Sequence, residues 1–123
     1  MDEKQKSYRD LHVWQRSIEV CVEIYDVTRK FPKEETYGIT SQMRRACISI
    51  TSNIAEGRHR GTKKDFVQFL RIALGSGAEL ESQIELAKRL PPMKELNFSK
   101  SESLLGEVMK MLHVMIKKLT AES

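Results

Sequence analysis

The chain holds little of what bends or cross-links a polypeptide. Six glycines and three prolines occur in 123 residues, too few for an all-β domain that turns every ~8–12 residues. Two cysteines are too few for a disulfide scaffold. No stretch approaches ~18 uninterrupted apolar residues, so no membrane-spanning helix is expected. The opening MDEKQKSYRD lacks the apolar segment of a signal peptide, and the expected setting is cytoplasmic with reduced thiols. Neither sign of charge dominates: 21 Lys and Arg against 17 Asp and Glu leave a net +4. That permits an anionic partner without demanding one. With 40% hydrophobic and 31% charged residues, the composition is that of one folded domain over 1–123.

Catalytic signatures are missing too. No Gly-rich phosphate loop, G-x-S-x-G elbow or C-x-x-C pair occurs. A di-iron centre in a helical bundle needs two Glu-x-x-His pairs and two further glutamates. Glu56-x-x-His59 is the single such pair, because Arg9 and Lys110 stand where His12 and His113 would need an acid. No metal, cofactor or enzymatic activity is expected.

What is present is helical periodicity. Over 11–30, Leu11, Trp14, Ile18, Cys21, Tyr25 and Thr28 recur at 3-4 spacing. Beside them runs a second series, Val13, Ser17, Val20, Ile24, Val27 and Phe31. Together they cover roughly 200° of a helix, where a lone bundle needs a stripe of about 100°. Either this is a well-covered central helix, or it buries a second face against another subunit. Asp10 is the expected N-cap and Pro32 the stop.

A second helix is expected over 37–58. Ile39, Met43, Ala46, Ile50 and Gly57 form its seam, with Cys47 and Ile54 alongside. Small residues on and beside the seam (Ala46, Ser49, Ser52, Asn53) allow a neighbour close. Gly57 and Gly61 mark its end. A third helix, 63–89, opens on a capping box of Thr62 and Asp65 and carries Phe66, Leu70, Ala73, Gly77, Leu80, Ile84 and Ala87 on its seam. Gly75 and Gly77 inside it each cost ~1 kcal/mol against Ala, which close packing or a local kink would explain. Pro91-Pro92 ends it. A fourth helix, 100–120, opens on Ser99 and Glu102 and continues through Leu105, Val108, Leu112, Met115 and Leu119. Short connections favour antiparallel neighbours, hence an all-α, up-down-up-down four-helix bundle.

That topology sorts the charges. One end gathers Lys4, Lys6, Arg9, Arg58, Arg60, Lys63, Lys64, Lys117 and Lys118 against Asp2, Glu3, Asp10, Asp65 and Glu122. The other gathers Arg29, Lys30, Lys33, Lys88, Arg89, Lys94 and Lys100 against Glu34, Glu35 and Glu95. Both ends are basic and the waist is acidic. Gly57–Lys64 holds four basic residues and no acid, just before a helix N-terminus, where free N–H groups and the dipole favour anions. It reads either as a phosphate contact or as a solvated basic turn. Arg58, Arg60, Lys63 and Lys64 are the candidate nucleic-acid residues, with Arg44 and Arg45 as secondary candidates. Arg44, Arg45 and Glu56 are placed to face Glu79 and Gln83, where a structural ion pair is favoured over acid-base catalysis.

Several segments together carry a resemblance. Asp10-Leu11-x-Val13-Trp14-Gln15, Ile24-Tyr25-x-x-Thr28-x-x-Phe31-Pro32 and Glu35-x-Tyr37-Gly38-Ile39 come first. Gln42-x-Arg44-Arg45-Ala46, Ser49-Ile50-x-x-Asn53-Ile54-Ala55-Glu56-Gly57, Phe69-Leu70-x-Ile72-Ala73-x-Gly75-Ser76 and Glu79-Leu80-x-x-Gln83 follow. The ordered set resembles the four-helix-bundle proteins encoded in intervening sequences of bacterial 23S rRNA genes. The resemblance implies an antiparallel bundle and a homopentameric ring. It also implies binding of structured RNA or another nucleic acid, and kinship with retroelement accessory proteins that bind a reverse transcriptase. Trp14, Tyr25, Asn53, Glu56, Glu79 and Gln83 are expected in structural or interface roles. Relatives often carry proline where this chain has Thr51, so a bend in the second helix is not implied here.

Overall fold

The apolar seams become four helices: α1 (His12–Thr28), α2 (Ser41–Arg60), α3 (Lys63–Arg89) and α4 (Ser99–Ala121). The structure, a computed structural model, describes residues 7–121. Among these there is no strand.

The helix ends depart from expectation where local hydrogen bonding overrides periodicity. Asp10 does not cap α1. It lies in a 3₁₀ turn, Tyr8–Asp10, whose cap is Ser7; the Ser7 hydroxyl accepts from the Arg9 N–H at 3.1 Å. Leu11 is the N-cap residue of α1 and offers no side-chain acceptor. At the far end the helix closes at Thr28, because Lys30 and Phe31 donate to Val27 and Thr28 in tightened i−3 bonds before Pro32.

α2 starts later than position 37. Thr36–Thr40 form one wide turn that breaks at Gly38 (φ −112°, ψ −117°), and regular helix begins at Ser41. It then runs through Gly57 to Arg60 and stops at Gly61, whose φ of +93° is left-handed and suits a residue without Cβ. At Thr51 α2 is continuous, and the hydroxyl bonds the Ile48 carbonyl at 3.0 Å. α3 has the predicted bounds, with the Thr62 hydroxyl accepting from the Asp65 N–H at 3.1 Å. α4 opens differently from the expected Ser99–Glu102 box. Asn97 Oδ1 accepts from the Ser99 N–H at 2.9 Å, and the Glu102 carboxylate meets Lys88 Nζ at 2.8 Å instead of turning back on the chain.

Each helix packs on two others: α1 on α2 and α4, α3 on α2 and α4. The cross-helix contacts give the directions. Arg16 pairs with Glu107 at 3.0 Å and Glu23 with Lys100 at 3.6 Å, so α1 and α4 are antiparallel. The Ser49 and Ser76 hydroxyls meet at 2.8 Å, and Gly57 lies against Phe66 and Phe69, so α2 and α3 are antiparallel. Gly77 faces Met109 while Lys88 reaches Glu102, which orders α3 and α4 likewise. Arg44 reaches back to Thr28 across the connection between α1 and α2.

The core decides between the two α1 seams. Val13, Ser17, Val20, Ile24, Val27 and Phe31 are buried, whereas Leu11, Trp14, Ile18, Cys21 and Tyr25 are half-buried. Val22, beside that second ridge, is 57% exposed. The buried hydroxyls of Ser17, Thr28 and Thr51 bond carbonyls in the preceding turn of their own helices. The two α3 glycines part company. Gly77 is buried against Met109, while Gly75 is exposed with nothing within 4 Å of a Cβ built there. Close packing therefore explains Gly77 within the chain, and Gly75 contributes no such contact.

Gly57 makes a close approach to an atom that cannot swing away. A Cβ there would stand 2.6 Å from Phe69 Cβ, an atom fixed to the α3 backbone. Gly57→Ala is expected to lower stability by ~1–3 kcal/mol through overpacking. Gly77→Ala meets only the flexible end of Met109 and recovers up to ~1 kcal/mol of helix propensity, so it should be near neutral. Urea denaturation of both variants checks this; equal losses would contradict the difference in packing.

Candidate nucleic-acid interface

The α2–α3 turn builds the most basic surface from two helix ends. Arg58, His59 and Arg60 occupy the last turn of α2, where cations suit the negative end of the helix dipole. Lys63 and Lys64 occupy the first turn of α3, where the dipole disfavours them and Asp65 supplies the one acid. Positive side chains at a positive helix end raise the local potential and favour an anion there. Arg60 is held by Glu56 at 3.2 Å, with its guanidinium 4.9 Å from the Phe69 ring centre. Arg58 is half-buried; Lys63 and Lys64 are exposed. A shallow cavity of about 240 Å³ is lined by Arg58, Gly61, Thr62, Lys63, Phe66 and Leu119. Asp2, Glu3, Lys4, Lys6 and Glu122, counted with this end above, lie outside the described residues.

The two remaining arginines separate. Arg44 turns toward α1: its Nε donates to the Thr28 hydroxyl at 2.9 Å and its guanidinium lies 4.4 Å from the Tyr25 ring centre. It is committed to packing, which also gives Tyr25 its structural role. Trp14 packs edge-on to Tyr8 at 5.1 Å. Arg45 is exposed on the other side of α2 and makes no hydrogen bond or ion pair among the described residues.

Glu79 lines the same groove as Arg45, yet no ion pair joins them among the described residues, which corrects the bridge expected from the sequence. Both side chains are exposed, and hydration of each competes with pairing. Glu56 pairs along its own helix with Arg60. Gln83 Nε2 reaches Glu79 at 3.4 Å, and Gln83 Oε1 is buried without a partner. The floor between the helices is tied together, with Asn53 Nδ2 donating to the Ser49 carbonyl at 2.8 Å and to its hydroxyl at 3.0 Å, and Ser49 meeting Ser76. The groove above has a volume of about 470 Å³ and is lined by Gln42, Arg45, Ala46, Ser49 and Glu79. The sequence reading missed both this groove and the Arg44–Thr28–Tyr25 cluster. The second was accessible in principle, since Thr28 and Arg44 flank the α1–α2 connection of an antiparallel pair.

Cys21 and Cys47 are free thiols where α1 meets α2. The Cys21 thiol is hydrogen-bonded to Cys47, which pushes Cys21 up and draws Cys47 down, while Cys47 Sγ also donates to the Arg44 carbonyl at 3.2 Å. Lys88 is held above the usual lysine range by its contact with Glu102. Among the described residues no three His, Cys, Asp or Glu side chains are grouped to hold a metal, and no helix is long and apolar enough to cross a membrane.

Four antiparallel helices with a basic inter-helix turn, and no strand among the described residues, define a helical-bundle protein. The family model of the 23S rRNA-intervening sequence protein matches residues 9–114, and the chain belongs to that family. A solved structure is similar, with a TM-score of 0.72 and 28% identity, covering 85% of this chain and 95% of that one. It is a protein of unknown function from the S23 ribosomal protein family of Bacteroides thetaiotaomicron VPI-5482. Among curated proteins none matches.

The different settings of the neighbouring arginines have a direct consequence. Arg44→Ala removes a hydrogen bond to a buried hydroxyl and a cation–π contact, and should cost about 1–3 kcal/mol. Arg45→Ala should shift stability by less than ~0.5 kcal/mol. Thermal melts of the two variants against the parent provide the check, and a large loss for Arg45→Ala would contradict its placement.

Proposed function

We propose that this chain is a non-enzymatic, oligomeric nucleic-acid-binding protein that engages structured RNA through its phosphate backbone. The observation that carries the reading is the Gly57–Lys64 turn. Four basic side chains and the N-terminus of a 27-residue helix converge there without an intervening acid. Phosphate contacts of this kind add through counterion release and confer affinity without sequence preference. Arg60, Lys63 and Lys64 are the principal contacts, with Arg58 at the edge of the adjoining cavity.

Self-association supplies the repetition such a patch needs. The half-buried ridge of α1 and the exposed Val22, Ile48, Ile72, Leu86 and Val114 leave apolar surface that a second copy would cover. A closed homopentameric ring, as the family resemblance implies, would present five basic turns on one particle. A heterologous contact repeated around an axis closes such a ring.

Gel shifts with a structured RNA at increasing salt test the RNA reading. Binding should be strong at ~50 mM salt and fall steeply by ~200 mM. It should weaken when Arg60, Lys63 and Lys64 are replaced together by Ala; no shift at the lower salt would overturn the reading. Light scattering tests the assembly, where a mass several times 14.2 kDa is expected and a stable monomer would refute it.

A further inference from the structure

Two thiols meet where α1 packs on α2, and the basic turn uses neither. The register of the two helices puts them there. Arg44 bonds Thr28 and lies over the Tyr25 ring. In an antiparallel pair, residues further along α2 then face residues further back on α1. One turn on from Arg44, Cys47 comes opposite Cys21 and is hydrogen-bonded to it. A further turn brings the Thr51 hydroxyl to the same Cys21 sulfur. Both thiols are free. They stand 26 positions apart in the chain, so the contact is tertiary and not local.

The surroundings give the two sulfurs different characters. Cys47 is fully buried, with its Sγ 3.2 Å from the Arg44 carbonyl. Cys21 is half-buried on the outer ridge of α1, so the pair meets solvent from that side. The bond between the thiols pushes Cys21 up and draws Cys47 down, and the Arg44 charge adds to the second effect. Cys47 is therefore the sulfur that ionises first, while Cys21 keeps its proton. A thiolate beside a thiol is the arrangement of an attacking and a resolving cysteine. Among the described residues no third His, Cys, Asp or Glu is grouped with them, so the pair is not the ligand set of a zinc site.

We propose that Cys21 and Cys47 form a peroxide-responsive modification site that closes into a disulfide tying α1 to α2. The Cys47 sulfur attacks one oxygen of hydrogen peroxide and the O–O bond breaks. The leaving hydroxide takes up the proton that Cys47 released, which gives water and a Cys47 sulfenic acid. The Cys21 sulfur then attacks the Cys47 sulfur. The S–S bond forms, the S–O bond breaks, and the departing hydroxide takes the Cys21 proton as a second water. In sum, two thiols and one peroxide give one disulfide and two waters; the sulfurs lose two electrons and the peroxide gains them. The bridge closes a loop that contains the whole α1–α2 connection, and such a cross-link restricts the unfolded chain. It draws on no residue of the basic turn and stands apart from the nucleic-acid reading. Cys21 also belongs to the ridge offered above to a second copy, so subunit contact would slow the peroxide without removing the pair.

Treatment of the whole reduced chain with hydrogen peroxide, read by intact mass, tests the site. The parent should lose about 2 Da, the two hydrogens of one disulfide, and regain them with dithiothreitol. Proteolysis without reductant should recover the Cys21 and Cys47 peptides joined to each other. Cys21→Ser should stop at a Cys47 sulfenic acid that dimedone traps. Cys47→Ser should leave Cys21 reacting about tenfold more slowly, as a thiol that holds its proton. The bridged parent should melt several degrees above the reduced chain, a rise that both variants lack. Oxygen addition without a bridge, a bridge between two chains, or thiols that survive excess peroxide would each overturn the proposal. Those three outcomes are read on the parent, so they hold even where a variant fails to fold. A bridged parent that melts no higher than the reduced chain overturns the tie between the helices.

Discussion

At Gly57 the α2 backbone rests against Phe66 and Phe69 so closely that a methyl group would not fit without movement. Seven residues beyond Phe69 along α3, the hydroxyls of Ser49 and Ser76 hold the same pair of helices together. This close antiparallel pairing sets the remaining geometry. It brings the ends of α2 and α3 side by side, so one short turn carries Arg58, Arg60, Lys63 and Lys64. It also leaves a narrow polar floor, above which Arg45 and Glu79 line a groove without closing on each other. α1 and α4 then complete the core from the opposite side, aligned by Arg16–Glu107 and Glu23–Lys100.

The bundle is closed on its inside and incomplete on its outside. One α1 seam is fully buried, and the ridge next to it is covered only in part by Cys47, Thr51 and Arg44 of α2. Gly75 lowers helix propensity in α3 at a position where a Cβ would meet nothing within 4 Å among the described residues. Such features add nothing to the stability of a single subunit. They are consistent with a surface shaped for association, which is why the proposed function couples self-assembly to the basic turn.

The charge distribution follows from the same connectivity. A net charge of +4 is small for 123 residues, but its basic excess lies at the helix ends. Ion pairs bind Arg16 to Glu19 and Glu107 along the bundle, and at the second basic end Arg29 to Asp26 and Lys88 to Glu85 and Glu102. At the α2–α3 turn Arg60 is paired along its own helix, yet Lys63 and Lys64 stand at a helix end whose dipole has their own sign.

Periodicity by itself determined the four helices, the bounds of α3 and most of the core, because a buried stripe must repeat with the turn of the helix. Composition spoke against an all-β domain, and the lack of long apolar runs against a membrane-spanning helix. Local hydrogen bonding decided the ends that periodicity misplaced, at Asp10, Gly38 and Ser99, since a turn or a neighbouring amide competed for the same groups. Only the tertiary structure separated Arg44 from Arg45, adjacent in sequence but projecting about 100° apart on a helix, one against Tyr25 and the other into the groove. It alone showed which α1 seam is core, which glycine is packed, and that Glu79 and Arg45 do not pair. Each of these depends on what lies across from a residue, a relation that spacing along one chain does not encode.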